Sequence, residues 1–121
     1  MTDPAASDPL RADDVRRLGA LTMSSTREGT EHVIALGGEL DLGSADVVQA
    51  ELLRVEATDA RQIVLDLRRL EFLDSTGIRL VYMADMRSQQ DGERLVIRRG
   101  PDSVQRMFRM TDLADRLRFV D

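Results

Sequence analysis

Apolar residues form short runs in some segments of the chain and recur at helical spacing in others. Short apolar runs predict strands at about 18–26, 31–37, 63–67 and 94–98, with a short edge strand at 117–120. The run at 63–67 is apolar without alternation, which is typical of a strand covered on both faces of an α/β sheet. His32 lies in the second run, and we expect its ring to face solvent.

Three segments between these strands predict helices. The first follows Ser44, which we expect to cap it, and its apolar stripe consists of Ala45, Val48, Leu52 and Val55. The second begins within 74–77 and ends at Asp91-Gly92, and the third begins at Pro101. Because strands and helices alternate from the second strand onward, we predict an α/β fold. Its helices pack on a mixed, mostly parallel sheet of four to five strands with right-handed crossovers.

The N-terminal part of the chain lacks this periodicity. Residues 1–17 contain Pro4 and Pro9 among scattered Asp, Ala and Arg, so we predict a flexible tail. The remaining residues, 18–121, form one predicted domain, because a chain of 121 residues has room for a single core.

Composition excludes several kinds of chemistry. The chain has no cysteine and one histidine, His32, which removes disulfides, thiolate chemistry and multi-histidine metal sites. Its 17 basic residues are all arginine, so neither a Schiff-base lysine nor a lysine-containing phosphate loop can form. We therefore expect a protein that is not an enzyme, with no catalytic residues, no metal site and no cofactor of its own.

Charge and hydropathy narrow the choice of partners. A formal net charge of -5 and only four aromatic residues, three Phe and one Tyr, do not fit a basic, aromatic surface for nucleic acid. Apolar runs fall well short of the roughly 18 residues of a membrane span, and the first residues lack the pattern of a secretory signal. We expect a cytoplasmic protein that binds neither nucleic acid nor membranes.

The segment Asp74-Ser75-Thr76-Gly77 is the strongest candidate for function, because it joins a central strand to a buried helix. In one interpretation it is structural: Asp74 or Ser75 caps the helix and Gly77 allows close packing. In the other, free N–H groups and the helix dipole favour an anion, including a phosphate on Ser75 or Thr76. A nucleophilic serine is disfavoured, since the stretch has neither a Gly-x-Ser-x-Gly elbow nor a histidine nearby.

Four ordered segments make residues 18–121 resemble the STAS domain of stand-alone bacterial anti-sigma factor antagonists. They are Gly38-Glu39-Leu40-Asp41, Ile63-Val64-Leu65-Asp66-Leu67, Phe72-Leu73-Asp74-Ser75-Thr76-Gly77-Ile78, and Val104-Gln105-Arg106-Met107-Phe108 followed by Thr111-Asp112-Leu113. One such motif would be weak, whereas four in order with suitable spacing are specific.

The resemblance implies a switch controlled by phosphorylation. Such a protein, when unphosphorylated, binds a serine-kinase anti-sigma factor and so releases a sigma factor. The kinase supplies ATP and magnesium, phosphorylation reverses the binding, and a phosphatase resets the protein. The phosphorylated serine of the family falls on Ser75, with Thr76 the less favoured acceptor. The implied partner-binding residues are Asp41, Asp74, Ser75, Thr76 and Gly77.

Some residues depart from the family pattern, and other functions remain open. Ser44 stands where threonine is common, and Asp112 stands where glycine is usual, so the end of the third helix can differ. Arg79 is interpreted as a solvated arginine, with pairing to a phosphate as the alternative. The alternative function is a non-switching STAS subunit of a stress-signalling or lipid-transport assembly. A nucleotide-binding domain is disfavoured, because no phosphate loop is present.

Overall fold

The structure is a computed structural model that describes residues 15–121. Within this range the strands and helices follow the order strand, strand, strand, helix, strand, helix, strand, helix, strand. Their bounds are β1 (Arg16–Leu18), β2 (Leu21–Glu28), β3 (Glu31–Leu40), α1 (Ala45–Glu56), β4 (Gln62–Leu73), α2 (Ser75–Gln90), β5 (Leu95–Arg98), α3 (Asp102–Met110) and β6 (Phe119–Val120).

All of these strands join one sheet, in which their spatial order is the same as their order in the chain. β1, β2 and β3 are antiparallel neighbours, whereas β3, β4, β5 and β6 run parallel. Each parallel neighbour is reached through a helix, as the right-handed crossover of an α/β fold requires. The predicted mixed α/β architecture is therefore confirmed.

The number of strands differs from the prediction of four to five. The described sheet has six strands, because the predicted first strand at 18–26 is divided into β1 and β2 by a tight turn at Gly19, which has a φ of 65°. Apolar residues stand on both sides of this turn, at Leu18 and at Ala20-Leu21, so the apolar run did not reveal it. β1 begins at Arg16, two residues before the predicted domain start. Residues 1–14 of the predicted tail lie outside the described residues.

Gly38 explains why β3 is longer than predicted. The prediction ended this strand at residue 37, because Gly37-Gly38 is typical of a turn, but the strand continues to Leu40. Gly38 has a φ of 77°, and a Cβ atom there would lie 2.1 Å from the carbonyl oxygen of Ala20. The same oxygen accepts the N–H of Glu39 at 2.9 Å. Glycine is needed at 38 because the turn after β1 approaches the backbone of β3.

The main hydrophobic core lies on one side of the sheet, beneath all three helices. The stripe predicted for α1 is buried, since Ala45, Val48, Leu52 and Val55 all belong to this core. They pack with buried residues of α2 and α3 and with every second residue of the central strands. His32 is also on this side, and the prediction that it faces solvent is wrong. His32 is only 5% exposed, because α1 covers the start of β3.

Candidate functional site

Two connections meet at the edge of the sheet where β3 and β4 end. Leu40 and Leu73, the last residues of these parallel neighbours, are partners in the strand register. The loop 41–44 follows the first of them, and Asp74 with the start of α2 follows the second. The carboxyl ends of parallel strands form a shared edge where binding sites commonly lie. The register therefore brings the loop 41–44 and the 74–77 segment together.

Asp74 connects these two segments. It is the N-cap of α2, and its Oδ1 accepts the backbone N–H of Gly77 at 3.0 Å. Its Oδ2 accepts the backbone N–H of Leu42, in the other segment, at 3.3 Å. Its own N–H donates to the carbonyl oxygen of Leu40 at 3.3 Å. One side chain therefore starts the helix and also holds the neighbouring loop.

Ser75 is the first residue of α2 and is exposed. Its hydroxyl makes no hydrogen bond within residues 15–121. Thr76, one position later, is half-buried and lines a groove between α1 and α2. The N-terminus of a helix carries a partial positive charge and N–H groups without helical partners, and both favour a negative group nearby. The hydroxyl of Ser75 is the more accessible of the two.

Gly77 lies at the point where α2 comes closest to the ends of β3 and β4. A Cβ atom at this position would lie 3.1 Å from the side chain of Leu40, 3.1 Å from the Leu40 carbonyl oxygen and 3.1 Å from the Cβ of Leu73. These contacts are tighter than ordinary van der Waals distance. The expected close packing of this glycine is confirmed, and it fixes the depth at which the N-terminus of α2 lies.

The carboxylate of Asp41 holds its own loop. Its Oδ1 accepts the N–H of Gly43 at 3.0 Å and the hydroxyl of Ser44 at 3.2 Å. Its hydrogen bonds within the described part of the chain do not reach residues 74–77 directly. The link to Asp74 passes through Leu42, which lies between Asp41 and Gly43. Asp41 therefore shapes the loop that Asp74 anchors.

Ser44 occupies the N-cap of α1 but does not cap it in the expected way. Its side chain makes no capping hydrogen bond. Instead, the Ser44 hydroxyl accepts the N–H of Asp41 at 3.2 Å. The Asp41 carbonyl oxygen accepts the N–H of Ala45 at 2.9 Å and so takes over part of the capping role. The serine hydroxyl is used to close the loop, because Ser44 has helical backbone angles that turn it away from the free N–H groups.

Exposed apolar side chains border the segment, and the sequence interpretation did not single them out. Leu42 is 75% exposed at the tip of the loop, and Met83 on α2 is 42% exposed. Met83 lines the groove between α1 and α2 together with Thr76 and Arg79. The signal in the sequence was an apolar residue, Leu42, within a loop of polar residues and glycine. Arg79 makes no ion pair among residues 15–121, which agrees with its interpretation as a solvated arginine.

The arrangement around Ser75 does not resemble a nucleophilic or metal site. The histidine, His32, lies near the start of β3, whereas Ser75 follows the opposite end of the β4 strand beside it. No cluster of three or more histidine, aspartate or glutamate side chains within residues 15–121 could hold a metal ion. In the same part of the chain, none of the helices has the length and apolar character needed to cross a membrane.

Comparison with known proteins identifies the class to which this fold and site belong. A sequence profile described as "Mlab, STAS domain" matches residues 23–120. The chain therefore belongs to the STAS-domain family. It is similar to an anti-sigma-B factor antagonist of Staphylococcus aureus, with 26% identity over 95 residues, which cover 78% of this chain and 88% of that protein. Proteins of this kind are regulatory binding proteins rather than enzymes.

Two solved structures share the fold. An anti-sigma factor antagonist from Mycobacterium paratuberculosis superposes with a TM-score of 0.72 and 20% identity, covering 89% of this chain and 87% of that chain. The Bacillus cell fate determinant SpoIIAA in its phosphorylated form superposes with a TM-score of 0.63 and 21% identity, covering 82% of this chain and 91% of that chain. Both similarities extend over most of the two chains compared.

Proposed function

We propose that this protein is an anti-sigma factor antagonist controlled by phosphorylation of Ser75. In its unphosphorylated form it binds a serine-kinase anti-sigma factor and so releases a sigma factor. Phosphorylation of Ser75 ends this binding, and a phosphatase restores it. Because the kinase uses cellular ATP, we place the exchange in the cytoplasm. The observation that carries the proposal is the free, exposed hydroxyl of Ser75 on the first turn of α2.

The relatives support this proposal. The Staphylococcus aureus protein to which this chain is similar is named as an antagonist of an anti-sigma factor. A protein with the same fold, SpoIIAA, exists in a phosphorylated form. A fold of this kind therefore accommodates a phosphate, which agrees with a switch that adds charge at the surface and leaves the core in place.

The chemistry requires little of this chain. The Ser75 oxygen attacks the γ-phosphorus of ATP held by the kinase, and the bond from that phosphorus to the β–γ bridging oxygen breaks, with ADP as the leaving group. The hydroxyl proton passes to a base of the kinase, and magnesium on the kinase balances the charge. Asp74 is occupied by Leu42 and Gly77, so its role here is to position the Ser75 backbone.

A phosphate on Ser75 changes the charge of the surface far more than its shape. It adds about -1.5 to -2 charges at pH 7, and the N-terminus of α2 stabilises such a group locally. The same charge lies next to the carboxylate of Asp74 and faces the nucleotide phosphates of the kinase. Each 1.4 kcal/mol of lost complementarity weakens binding about tenfold. Release therefore follows from local repulsion.

The proposed binding surface extends beyond the acceptor serine. Two aspartates hold the loop 41–44 beside Ser75. Asp41 accepts a hydrogen bond from Gly43 within the loop, and Asp74 accepts one from Leu42. Thr76 and Gly77 complete the first turn, and the exposed side chain of Leu42 offers an apolar contact. A partner that approaches Ser75 would meet this loop at the same time.

The experiment is phosphorylation of the full chain by a purified anti-sigma factor kinase from the same organism, with ATP and magnesium and a mass-spectrometric readout. We expect one phosphate on the native protein and none on Ser75→Ala. Ser103→Ala is a matched control, because Ser103 is also an exposed serine in the first turn of a helix, α3. It should be phosphorylated like the native protein. Circular dichroism checks that each variant is folded.

Binding provides the second readout. Ser75→Glu should bind the kinase more weakly than the native protein, whereas Ser103→Glu should bind equally well. Phosphate that persists in Ser75→Ala but disappears in Thr76→Ala would move the acceptor to Thr76. A chain that takes up no phosphate and forms a stable large assembly by light scattering would contradict the proposal and support the non-switching subunit.

A further inference from the structure

Arg79 follows the proposed phosphate acceptor on the next turn of α2. Its side chain is exposed and makes no hydrogen bond or ion pair within residues 15–121. Arg87, further along the same helix, differs in this respect. Its Nε and Nη2 atoms donate to the carboxylate of Glu56 at 2.8 Å and 3.0 Å. The guanidinium group of Arg79 can therefore take a new partner at this surface.

Helix geometry places Arg79 beside both hydroxyl groups of the 74–77 segment. With 3.6 residues per turn, Arg79 lies about 40° from Ser75 and about 60° from Thr76 around the helix axis. Residues four apart on a helix have Cβ atoms about 5–6 Å apart. Long side chains lean toward the N-terminus of a helix, which in α2 is the end that carries Ser75. The Arg79 guanidinium is therefore within reach of a group attached to Ser75.

The groove between α1 and α2 leaves this arginine room to move. Arg79 lines the groove together with Thr76 and with Asp46, which lies in the first turn of α1. The groove has a volume of about 290 Å³. In the described part of the chain, the guanidinium of Arg79 forms no ion pair with the carboxylate of Asp46. The side chain is therefore not fixed in the groove and can turn toward a stronger acceptor.

We propose that Arg79 pairs with the phosphate on Ser75 and so stabilises the phosphorylated state of the switch. This inference rests on the proposed phosphorylation of Ser75. A planar guanidinium group donates two parallel N–H bonds to phosphate oxygens, and such charge-assisted pairs are stronger than neutral hydrogen bonds. The carboxylate of Asp46 carries one negative charge, whereas phosphoserine carries about -1.5 to -2 at pH 7. The phosphate is therefore the preferred partner of Arg79.

The pairing affects the charge of the switch. A guanidinium group favours the dianionic form of the phosphate, so it lowers the second pKa, which is ordinarily about 6. Asp74 directly before Ser75, Asp41 of the loop 41–44 and Asp46 of α1 act in the opposite direction, because like charges favour the protonated phosphate. One guanidinium charge does not neutralise a dianion. The phosphorylated surface therefore stays negative, and the repulsion that releases the kinase persists.

The test needs no kinase, because an expanded genetic code can place phosphoserine at position 75 of the full chain. The ³¹P NMR resonance of the phosphate is followed between about pH 4.5 and pH 8, on either side of its second pKa. We expect Arg79→Gln to raise the midpoint of this titration by about half a pH unit. Arg79→Lys should raise it by less, because an ammonium group keeps the charge but loses the planar fork.

Arg106→Gln is the matched control. Arg106 is an exposed arginine of another helix, α3, and it too has no hydrogen bond or ion pair among the residues that the structure describes. Its replacement removes the same charge from the protein and should leave the midpoint within about 0.1 pH units of the native value, because salt screens distant charges. Circular dichroism checks that each variant is folded.

Equal midpoints for Arg79→Gln and Arg106→Gln would overturn the proposal, because net charge alone would then explain the titration. A second readout is the side-chain Nε–H resonance of Arg79, which should shift when Ser75 is replaced by phosphoserine. An unchanged resonance would also contradict the pairing. The kinase experiment is decided separately: a native protein that takes up no phosphate contradicts the proposed function, whereas these titrations decide the role of Arg79.

Discussion

The carboxylate of Asp74 accepts the backbone N–H of Leu42 at 3.3 Å and so joins the loop after β3 to the start of α2. The loop carries one of the most exposed apolar side chains in residues 15–121, and the helix begins with the proposed phosphate acceptor, Ser75. The Asp74 side chain therefore links the two segments directly. This connection joins the loop and the helix start into one part of the binding surface that we propose.

Removal of the Asp74 side chain should affect both stability and binding. Asp74→Ala loses the cap at Gly77 and the bond to Leu42, and loss of an N-cap costs about 1 kcal/mol. We expect a decrease of about 1 to 2 kcal/mol in the free energy of unfolding, measured with urea. The free energy of unfolding of Asp74→Asn should lie between those of the native protein and Asp74→Ala, because a single amide oxygen replaces two carboxylate oxygens.

Glu71→Ala is the control for this change. Glu71 is an exposed acidic residue of β4, three positions before Asp74, and it makes no hydrogen bond or ion pair within the described part of the chain. It should change the free energy of unfolding by less than about 0.5 kcal/mol. If Asp74→Ala proved no more destabilising than Glu71→Ala, the two hydrogen bonds of Asp74 would not hold this region together.

Gly77 should not tolerate a methyl group. Alanine is the better helix former by about 1 kcal/mol, but its Cβ would lie 3.1 Å from the Leu40 carbonyl oxygen and from the Cβ of Leu73. Both atoms belong to or adjoin the strand backbone and cannot move aside easily. We expect Gly77→Ala to lower the free energy of unfolding by about 1 to 3 kcal/mol, as overpacking does. Thermal or urea unfolding measures this change.

Gly43→Ala tests whether the effect at Gly77 is one of space. Gly43 lies in the loop of the same site, and the nearest atom to its added Cβ would be Oδ1 of Asp41 at 3.4 Å, an ordinary contact. The variant should stay within about 0.5 kcal/mol of the native protein. Equal destabilisation by the two alanines would contradict the packing explanation for Gly77.

The candidate segment could be found from the sequence because its chemistry is local. The strand at 63–67, the polar residues Asp74-Ser75 and the glycine after them mark a strand, a cap and a close approach within a few positions. The contact between Leu42 and Asp74 could not be found in this way. It depends on the register of β3 against β4, which pairs Leu40 with Leu73, and a pattern within one strand carries no register.

The errors in the predicted fold also have a common cause. Each error depends on what lies next to a residue in space. These residues are Gly19, where a turn separates β1 from β2, Gly38, where β3 continues, and His32, which is buried. Gly19 lies in the turn between β1 and β2, and Gly38 lies where that turn approaches the backbone of β3. His32 is buried because α1 covers its end of the sheet. Period and propensity describe a segment alone, so they placed the elements and missed these contacts.

Replacement of Asp112 by glycine, the usual residue of the family pattern at this position, should stabilise the protein. It follows the C-cap of α3 with a φ of 57°, a left-handed conformation that glycine adopts without steric cost. We expect Asp112→Gly to raise the free energy of unfolding by up to about 1 kcal/mol and Asp112→Ala to lower it. Urea unfolding of the three proteins gives the order. If Asp112→Gly proved less stable than the native protein, the Asp112 side chain would have to contribute a stabilising contact.

The buried histidine should make stability depend on pH. Burial, followed by the positive charge of Arg54, lowers the pKa of His32 from its ordinary value of 6.5, although the charge of Glu51 opposes this. Arg27 lowers this pKa further. The Ser25 hydroxyl lies 2.6 Å from its Nε2. The folded protein therefore favours the neutral ring, and protonation would place a charge beneath α1.

The lowered pKa fixes the sign of the effect. Well above pH 6.5 the ring is neutral in both the folded and the unfolded chain, so the stability is fully present. As the pH falls below 6.5, the unfolded chain binds the proton first, and the free energy of unfolding decreases by at most about 1.4 kcal/mol per pH unit until the folded pKa is passed.

The variant His32→Gln tests this effect, because glutamine keeps a polar partner for Ser25 and cannot titrate. Urea unfolding between about pH 5 and pH 8 should give curves that run parallel above pH 6.5 and diverge below it, with the native protein losing more. The lowered pKa of Glu51, which Arg54 causes, acts at lower pH and does so equally in both proteins, so it cancels in the difference. Curves that stay parallel down to pH 5 would mean that the ring of His32 is solvated after all, as the sequence interpretation expected.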